Sequence, residues 1–298
     1  MTRSLFVFLI FGWCHSAPQS FYEQKEIQVQ CTSGTHVYSE AANLKLDLRL
    51  PEHRQSGVPG VIFVHGGGFQ MGHRDSEKVC SFLDDLSRAG IASASISYRL
   101  TRKDKGFGCD VPVKEKQAAV QAAGDDLMQA LDWLEMHCQN GPDTWVAAGS
   151  SAGAETALWA GYIGHPDRWA GVLSFSGALD SRTKVSNDAP PLFAAHGMCD
   201  AVVPAMHHVH RDCPLDSKGA WDLLGGFAWA DSLRASGVQA TRWMACRGGH
   251  EVCNTAMMNP DVREKIVMWL THLGSNLNQD WSDSPSGKGP HPCPSPCH

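Results

Sequence analysis

A chain of 298 residues with 43% hydrophobic and 19% charged side chains can bury a sizeable core, which excludes an intrinsically disordered protein. Its formal net charge of -6 comes without any dense block of Lys and Arg, so neither nucleic acid nor an anionic membrane surface is expected as a partner. Without internal repeats or an evident linker, a single domain over residues 17–279 is expected.

Near the N-terminus, Arg3 leads into the apolar run LFVFLIFGW, too short to span a bilayer. Cys14-His15-Ser16 follows, with small residues at the -3 and -1 positions for cleavage before Ala17. Residues 1–16 therefore read as a secretory signal, which places the mature protein outside the cell with no stable membrane insertion. Of eleven cysteines, ten remain once Cys14 has left, and an even, high count in an exported chain favours disulfides over free thiols. Their pairing stays open. No paired C-x-x-C knuckle supports zinc.

Leu44, Leu46, Leu48 and Leu50 alternate with Lys45, Asp47 and Arg49, the period of a half-buried strand. PGVIFV at 59–64 is continuous and rich in β-branched residues, as a strand covered on both faces would be. GIASASISY (90–98), TWVAAG (144–149), GVLSFSG (171–177), PLFAAHG (191–197) and VQATRWMAC (238–246) continue the series. Between the strands, Val120, Ala123, Leu127, Leu131 and Leu134 recur at helical spacing, with Gln121, Asp125, Gln129 and Asp132 on the other face. A shorter helix is expected over 154–162. The last helix has Asn259 as cap, Pro260 at its first position, a stripe of Val262, Ile266, Trp269, Leu270 and Leu273, and Gly274 to stop it.

Alternating strands and helices predict an α/β protein whose mainly parallel sheet of about eight strands carries helices on both faces. Residues 101–116 and 205–219 read as insertions over that sheet. The second carries His207, His208, His210 and Cys213, and is either a lid or a surface loop tied down by Cys213; a metal site there is a weak alternative. From Asp280 onward, residues 280–298 are rich in Pro, Ser and Gly, and no fixed fold is expected.

Gly149-Ser150-Ser151-Ala152-Gly153 fits G-x-S-x-G between an expected strand and an expected helix. A sharp strand-to-helix turn lifts its central residue, Ser151, above the sheet, where a nucleophile would stand. Donors for an oxyanion are supplied by His65-Gly66-Gly67-Gly68-Phe69 directly after a strand, since three glycines bare the backbone N–H groups. A phosphate loop would want Lys-Ser/Thr after its glycines, and none follows. The acid and the base should come later, in that order: Asp200 follows the strand PLFAA, and His250 follows VQATRWMAC. His250 would take the proton of Ser151 while Asp200 holds the imidazole. Cys199 adjoins Asp200, and Cys246 and Cys253 bracket His250, so disulfides there would pin the loops of the acid and the base.

On these residues the chain resembles the α/β-hydrolase fold, and within it the hormone-sensitive-lipase-like and BD-FAE-like carboxylesterases. The resemblance rests on His65 to Phe69, Ser97-Tyr98-Arg99-Leu100, Gly149 to Gly153, Asp200 within H-G-x-x-D-x-x-V-P, and His250, and it runs from about Leu44 to Leu273. It implies Gly67, Gly68 and Ala152 as oxyanion donors, Ser150 as a turn residue only, an ester substrate that is small or attached to a polymer, and no cofactor. The expected activity is hydrolysis of carboxylic esters through an acyl-enzyme. Amide cleavage on the same triad and a non-catalytic binding module are the alternatives. The relatives commonly carry a second glycine where Ala154 and Glu155 stand; Glu155 is expected as a solvated or helix-capping carboxylate, with tuning of the site as the alternative.

Overall fold

The computed structural model describes residues 31–273, 275, 278–283 and 293, so the signal segment, Gly274 and most of the tail lie outside the described residues. In chain order the elements are β1 (Gly34–Ser39), β2 (Leu44–Arg49), β3 (Gly60–Val64), α1 (Glu77–Arg88), β4 (Ser93–Ile96), α2 (Val113–His137), β5 (Trp145–Ser150) and α3 (Ala152–Trp159). There follow β6 (Gly171–Phe175), β7 (Ala178–Asp180), β8 (Leu192–Gly197), β9 (His207–Val209), β10 (Asp222–Gly225), α4 (Gly226–Ala235), β11 (Ala240–Ala245), α5 (Val252–Met258), α6 (Pro260–Thr271) and β12 (Gln279–Ser282).

Nine strands form the main sheet in the order β1-β2-β4-β3-β5-β6-β8-β11-β12. Only the β1–β2 and β2–β4 pairs are antiparallel, and the rest of the sheet is parallel, as crossover helices require. Alternation along each strand divides the core between the two faces. Ile62 and Val64 of β3 pack with Leu127 and Leu131 of α2, whereas Val61 and Phe63 pack with Phe82 and Leu83 of α1. Asn259 caps α6 as expected, its side-chain oxygen accepting the Asp261 N–H at 3.0 Å.

Several expectations are corrected. Helix α1, not among the expected helices, buries Val79, Phe82, Leu83 and Leu86 as an i, i+3, i+4, i+7 stripe. Helix α2 starts inside the 101–116 segment, so that insertion is shorter than expected. The 205–219 segment is no mere loop: it supplies β9, which pairs with β10, and β10 pairs with β7 in a second sheet of three antiparallel strands. The tail is not without structure at its start, because Gln279–Ser282 adds a parallel edge strand to β11, anchored by Asp280 between Arg234 and Arg242.

Disulfides join Cys31 to Cys138, Cys109 to Cys213 and Cys246 to Cys293, and Cys199 is disulfide-bonded as well. Cys80 and Cys253 are free thiols, against the expectation drawn from the even count. Cys253 is buried in α5, and burial pushes its thiol up to about 12, so it packs as a small apolar side chain.

Candidate active site

Strand β5 lies between β3 and β6 and delivers Ser151 at the carboxyl end of the sheet. Ser151 has φ 52° and ψ -120°, a conformation that costs a non-glycine residue free energy and persists only where its neighbours fix it. They do: its N–H donates to the Phe175 carbonyl at 2.8 Å, and its own carbonyl accepts the Glu155 N–H at 2.9 Å. The flanking glycines have no alternative. A Cβ on Gly149 would stand 2.2 Å from the Gly153 carbonyl oxygen, and one on Gly153 would stand 2.0 Å from that of Val64.

The turn after β11 brings His250 over this serine, with Nε2 2.8 Å from Ser151 Oγ. Its Nδ1 lies 2.8 Å from Asp200 Oδ2, and Asp200 stands in the turn after β8. The other oxygen of Asp200 accepts the N–H groups of Val202 and Val203, both at 2.9 Å. Burial works against the charge on Asp200, but hydrogen bonds from His196 and His250 outweigh it and hold the carboxyl well below the usual carboxylate range. His196 was not singled out in the sequence. Its Nε2 sits 2.9 Å from the Val203 carbonyl oxygen and 3.4 Å from Asp200 Oδ2, so it backs the acid from inside the protein. The signal was present, four residues before Asp200 in AAHGMCD.

The loop after β3 is closely folded. Gly67 has φ 126°, and a Cβ there would meet the Met71 carbonyl oxygen at 1.9 Å. Tyr98 donates its hydroxyl to the His65 carbonyl at 3.0 Å. The Gly66 N–H donates to Ser150 Oγ at 3.1 Å. Ser150 thus does more than shape the turn, since it ties the glycine loop to the elbow. The N–H groups of Gly67 and Gly68 have no acceptor among the described residues, and Ala152 is the first residue of α3, where N–H groups lack helical partners. All six residues expected at the site therefore fall at one end of the parallel sheet.

Glu155 departs from expectation. It is neither solvated nor a cap: it is 2% exposed, and burial pushes its carboxyl up to about 8 despite the nearby charges of Arg211 and Lys116. Lys116 is fully buried, reaching His210 Nδ1 at 3.0 Å and donating to the Gly219 carbonyl at 2.8 Å. Burial lowers Lys116 to about 8 and His210 to about 3. The three histidines of the 205–219 segment go separate ways: His207 pairs with Asp222, His208 with Asp212, and His210 turns inward. Among the described residues no group of three or more His, Cys, Asp or Glu is placed to hold a metal ion. The Cys109–Cys213 bridge staples the two inserted segments to each other, helped by the Val113 N–H on the Lys218 carbonyl and the Gly219 N–H on that of Cys109. Beside these segments lies a cavity of about 590 Å³, walled by α2, the end of α3, β7 and Trp221; Glu155 lines it and Ser151 does not.

Residues 46–176 match the BD-FAE family, a stretch that ends before Asp200 and His250. The butyrate-bound esterase 2 of the planctomycete Thermogutta terrifontis superposes with a TM-score of 0.57 at 18% identity, over 81% of this chain and 94% of that one. A truncated carbohydrate esterase from gut microbiota gives 0.56 at 15% identity, over 84% and 98%. At such identities the likeness shows the fold. Polyketide synthase GfsA of Streptomyces halstedii is 29% identical over 160 residues, which are 48% of this chain, and the chain spans 2% of that protein's length. The resemblance read from the sequence holds: the chain has the α/β-hydrolase fold and carries the BD-FAE pattern through the glycine loop and the elbow.

Proposed function

We propose that the protein is a secreted serine hydrolase that cleaves carboxylic esters through an acyl-enzyme on Ser151. The observation that carries this reading is the hydrogen-bonded chain Ser151 Oγ, His250, Asp200, with both links at 2.8 Å. Neutral His250 accepts the serine proton through Nε2 as Oγ attacks the ester carbonyl carbon. Asp200, held ionised by His196 and His250, orients the ring and stabilises the imidazolium that forms. The N–H groups of Gly67, Gly68 and Ala152 stabilise the oxyanion; the alcohol leaves with the proton from His250, and water releases the acid by the reverse sequence. Short acyl esters and esters on carbohydrates are the favoured substrates, supported by the butyrate-bound and carbohydrate esterases among the structural neighbours. Export is supported by the apolar run near the N-terminus and by the disulfides.

The test is exposure of the folded, oxidised protein to a fluorophosphonate, read by intact and peptide mass. One adduct on Ser151, absent in Ser151→Ala, is expected, together with turnover of 4-nitrophenyl acetate. Asp200→Asn should lower kcat about 10,000-fold, because the wrong imidazole tautomer then faces the serine. Folded protein that takes no adduct would overturn the reading, and faster cleavage of matched amides would overturn the choice of ester.

A further inference from the structure

The 590 Å³ cavity combines apolar walls with polar groups, among them a buried carboxyl with an oxygen that has no hydrogen-bond partner. Trp159, Tyr162 and Trp221 supply aromatic faces, and Val120, Ala178 and Leu179 supply aliphatic ones. After Trp159, α3 widens into a π-helical turn over Ala160–Gly164, the local distortion often found at functional sites, and this turn contributes Tyr162 and Ile163 to the wall. Within that wall stands Glu155. Among the buried side-chain oxygens and nitrogens without a hydrogen-bond partner, Oε1 of Glu155 is the one carboxylate oxygen in the described residues. Lys116 directs its bonds at His210 and the Gly219 carbonyl, and both Lys116 and Arg211 act on Glu155 only through space. Asp180, the other carboxylate on the wall, is already saturated by Arg182, Gln117 and Trp221.

Glu155 is also well placed with respect to the chemistry. Glu155 follows Ser151 by four residues, and its N–H donates to the Ser151 carbonyl at 2.9 Å. Asp200 also stands close enough for its charge to add to the upward push on the Glu155 carboxyl. The part of the cavity wall formed by Glu155 is therefore next to the elbow and the acid of the triad. An ionised carboxyl only accepts, and a neutral one keeps an accepting oxygen beside its O–H, so a group that donates can pair with it in either state.

We infer that this cavity receives one side of the ester and that Glu155 selects there a group bearing a hydrogen-bond donor, a hydroxyl or an amine on an apolar body. The inference rests on the hydrolase reading and deepens it. A site built to bond such a group discriminates strongly against the analogue without it, because its own buried oxygen is then left unpaired.

The test uses two series of esters on the full chain. One consists of 4-nitrophenyl 3-arylpropionates and varies the acyl group; the other consists of arylethyl propionates and varies the alcohol. In each series the ring carries hydrogen, hydroxyl, amino or methoxy. In one series, wild-type kcat/KM is expected to be about tenfold or more higher for the hydroxyl or the amino ester than for the unsubstituted one. Comparison of those two arms tells which donor is taken. Methoxy, which cannot donate, should gain nothing. Glu155→Leu should bring the ratio to about one, while Glu155→Gln should retain most of it, since its amide oxygen still accepts. Each ratio is taken on one preparation, so any loss of folded protein cancels. A methoxy ester cleaved as fast as the hydroxyl ester, no preference in either series, or a ratio unchanged in Glu155→Leu would overturn the inference. Fluorophosphonate labelling of wild-type Ser151 separates the two readings: labelling without donor preference removes this inference alone, and no labelling removes both.

Discussion

The elbow at Gly149–Gly153 and the cap made by the inserted segments are held in opposite ways. At the elbow, backbone meets backbone with no space between, and the positive φ of Ser151 is fixed by main-chain hydrogen bonds on both sides. In the cap, side chains from distant segments meet: Lys116 reaches His210, Cys109 bonds Cys213, and the carboxyl of Glu155 lies buried nearby. The first region has one solution, dictated by sterics. The second is an assembly of polar and covalent parts that can be removed one at a time.

That contrast can be broken by experiment. Gly153→Ala drives a methyl against the Val64 carbonyl and should cost about 3 kcal/mol or more, measured by denaturant unfolding, with loss of fluorophosphonate labelling. A near-neutral effect would mean that the elbow has slack after all. In the cap, Cys109→Ser with Cys213→Ser opens a link between residues 104 apart and should cost about 2 to 4 kcal/mol, with proteolysis appearing first within 101–116 and 205–219. Cleavage elsewhere in the sheet would contradict the idea that the two segments staple each other.

A third prediction concerns pH. Glu155 holds its proton more tightly in the folded protein, so its contribution is complete below the unfolded value of 4.5 and is lost as pH rises through about 8. Between about pH 5 and 8 this removes about 1.4 kcal/mol of stability per pH unit, and Glu155→Gln should flatten that slope. Lys116, lowered from 10.5 to about 8, acts with the opposite sign above pH 8, and His210, lowered from 6.5 to about 3, does so below pH 6.5, so the window between them reports Glu155. An unchanged slope would show that Glu155 is not buried as described. The smallest effect belongs to Ser150→Ala, which strands the Gly66 N–H and should cost about 1 kcal/mol while leaving the Ser151 adduct in place.

The same contrast explains what the sequence made legible. Gly149, Gly153 and Gly67 are imposed because a Cβ would stand between 1.9 and 2.2 Å from a backbone carbonyl oxygen, so motif and geometry are nearly the same statement. Asp200 and His250 were found because each follows a strand whose apolar pattern marks its end. Glu155 was misjudged because local sequence offers only a carboxylate near a helix start, and what buries it comes from α2 and from residues beyond 200. His196 escaped because inside PLFAAHG it looks like the end of a strand. Strand β12 escaped because its pairing to β11 draws on Asp280 between two arginines, a contact with no local signature. Cys80 and Cys253 show that counting thiols sets a parity and not a partner.

The Cys246–Cys293 bridge imposes a schedule on the protein's manufacture. The links from Cys31 to Cys138 and from Cys109 to Cys213 can close once residue 213 has been translated, but the link beside the His250 loop must await residue 293. The loop bearing the base is therefore made well before its covalent tether, and a chain that ends before Cys293 leaves Cys246 without that partner.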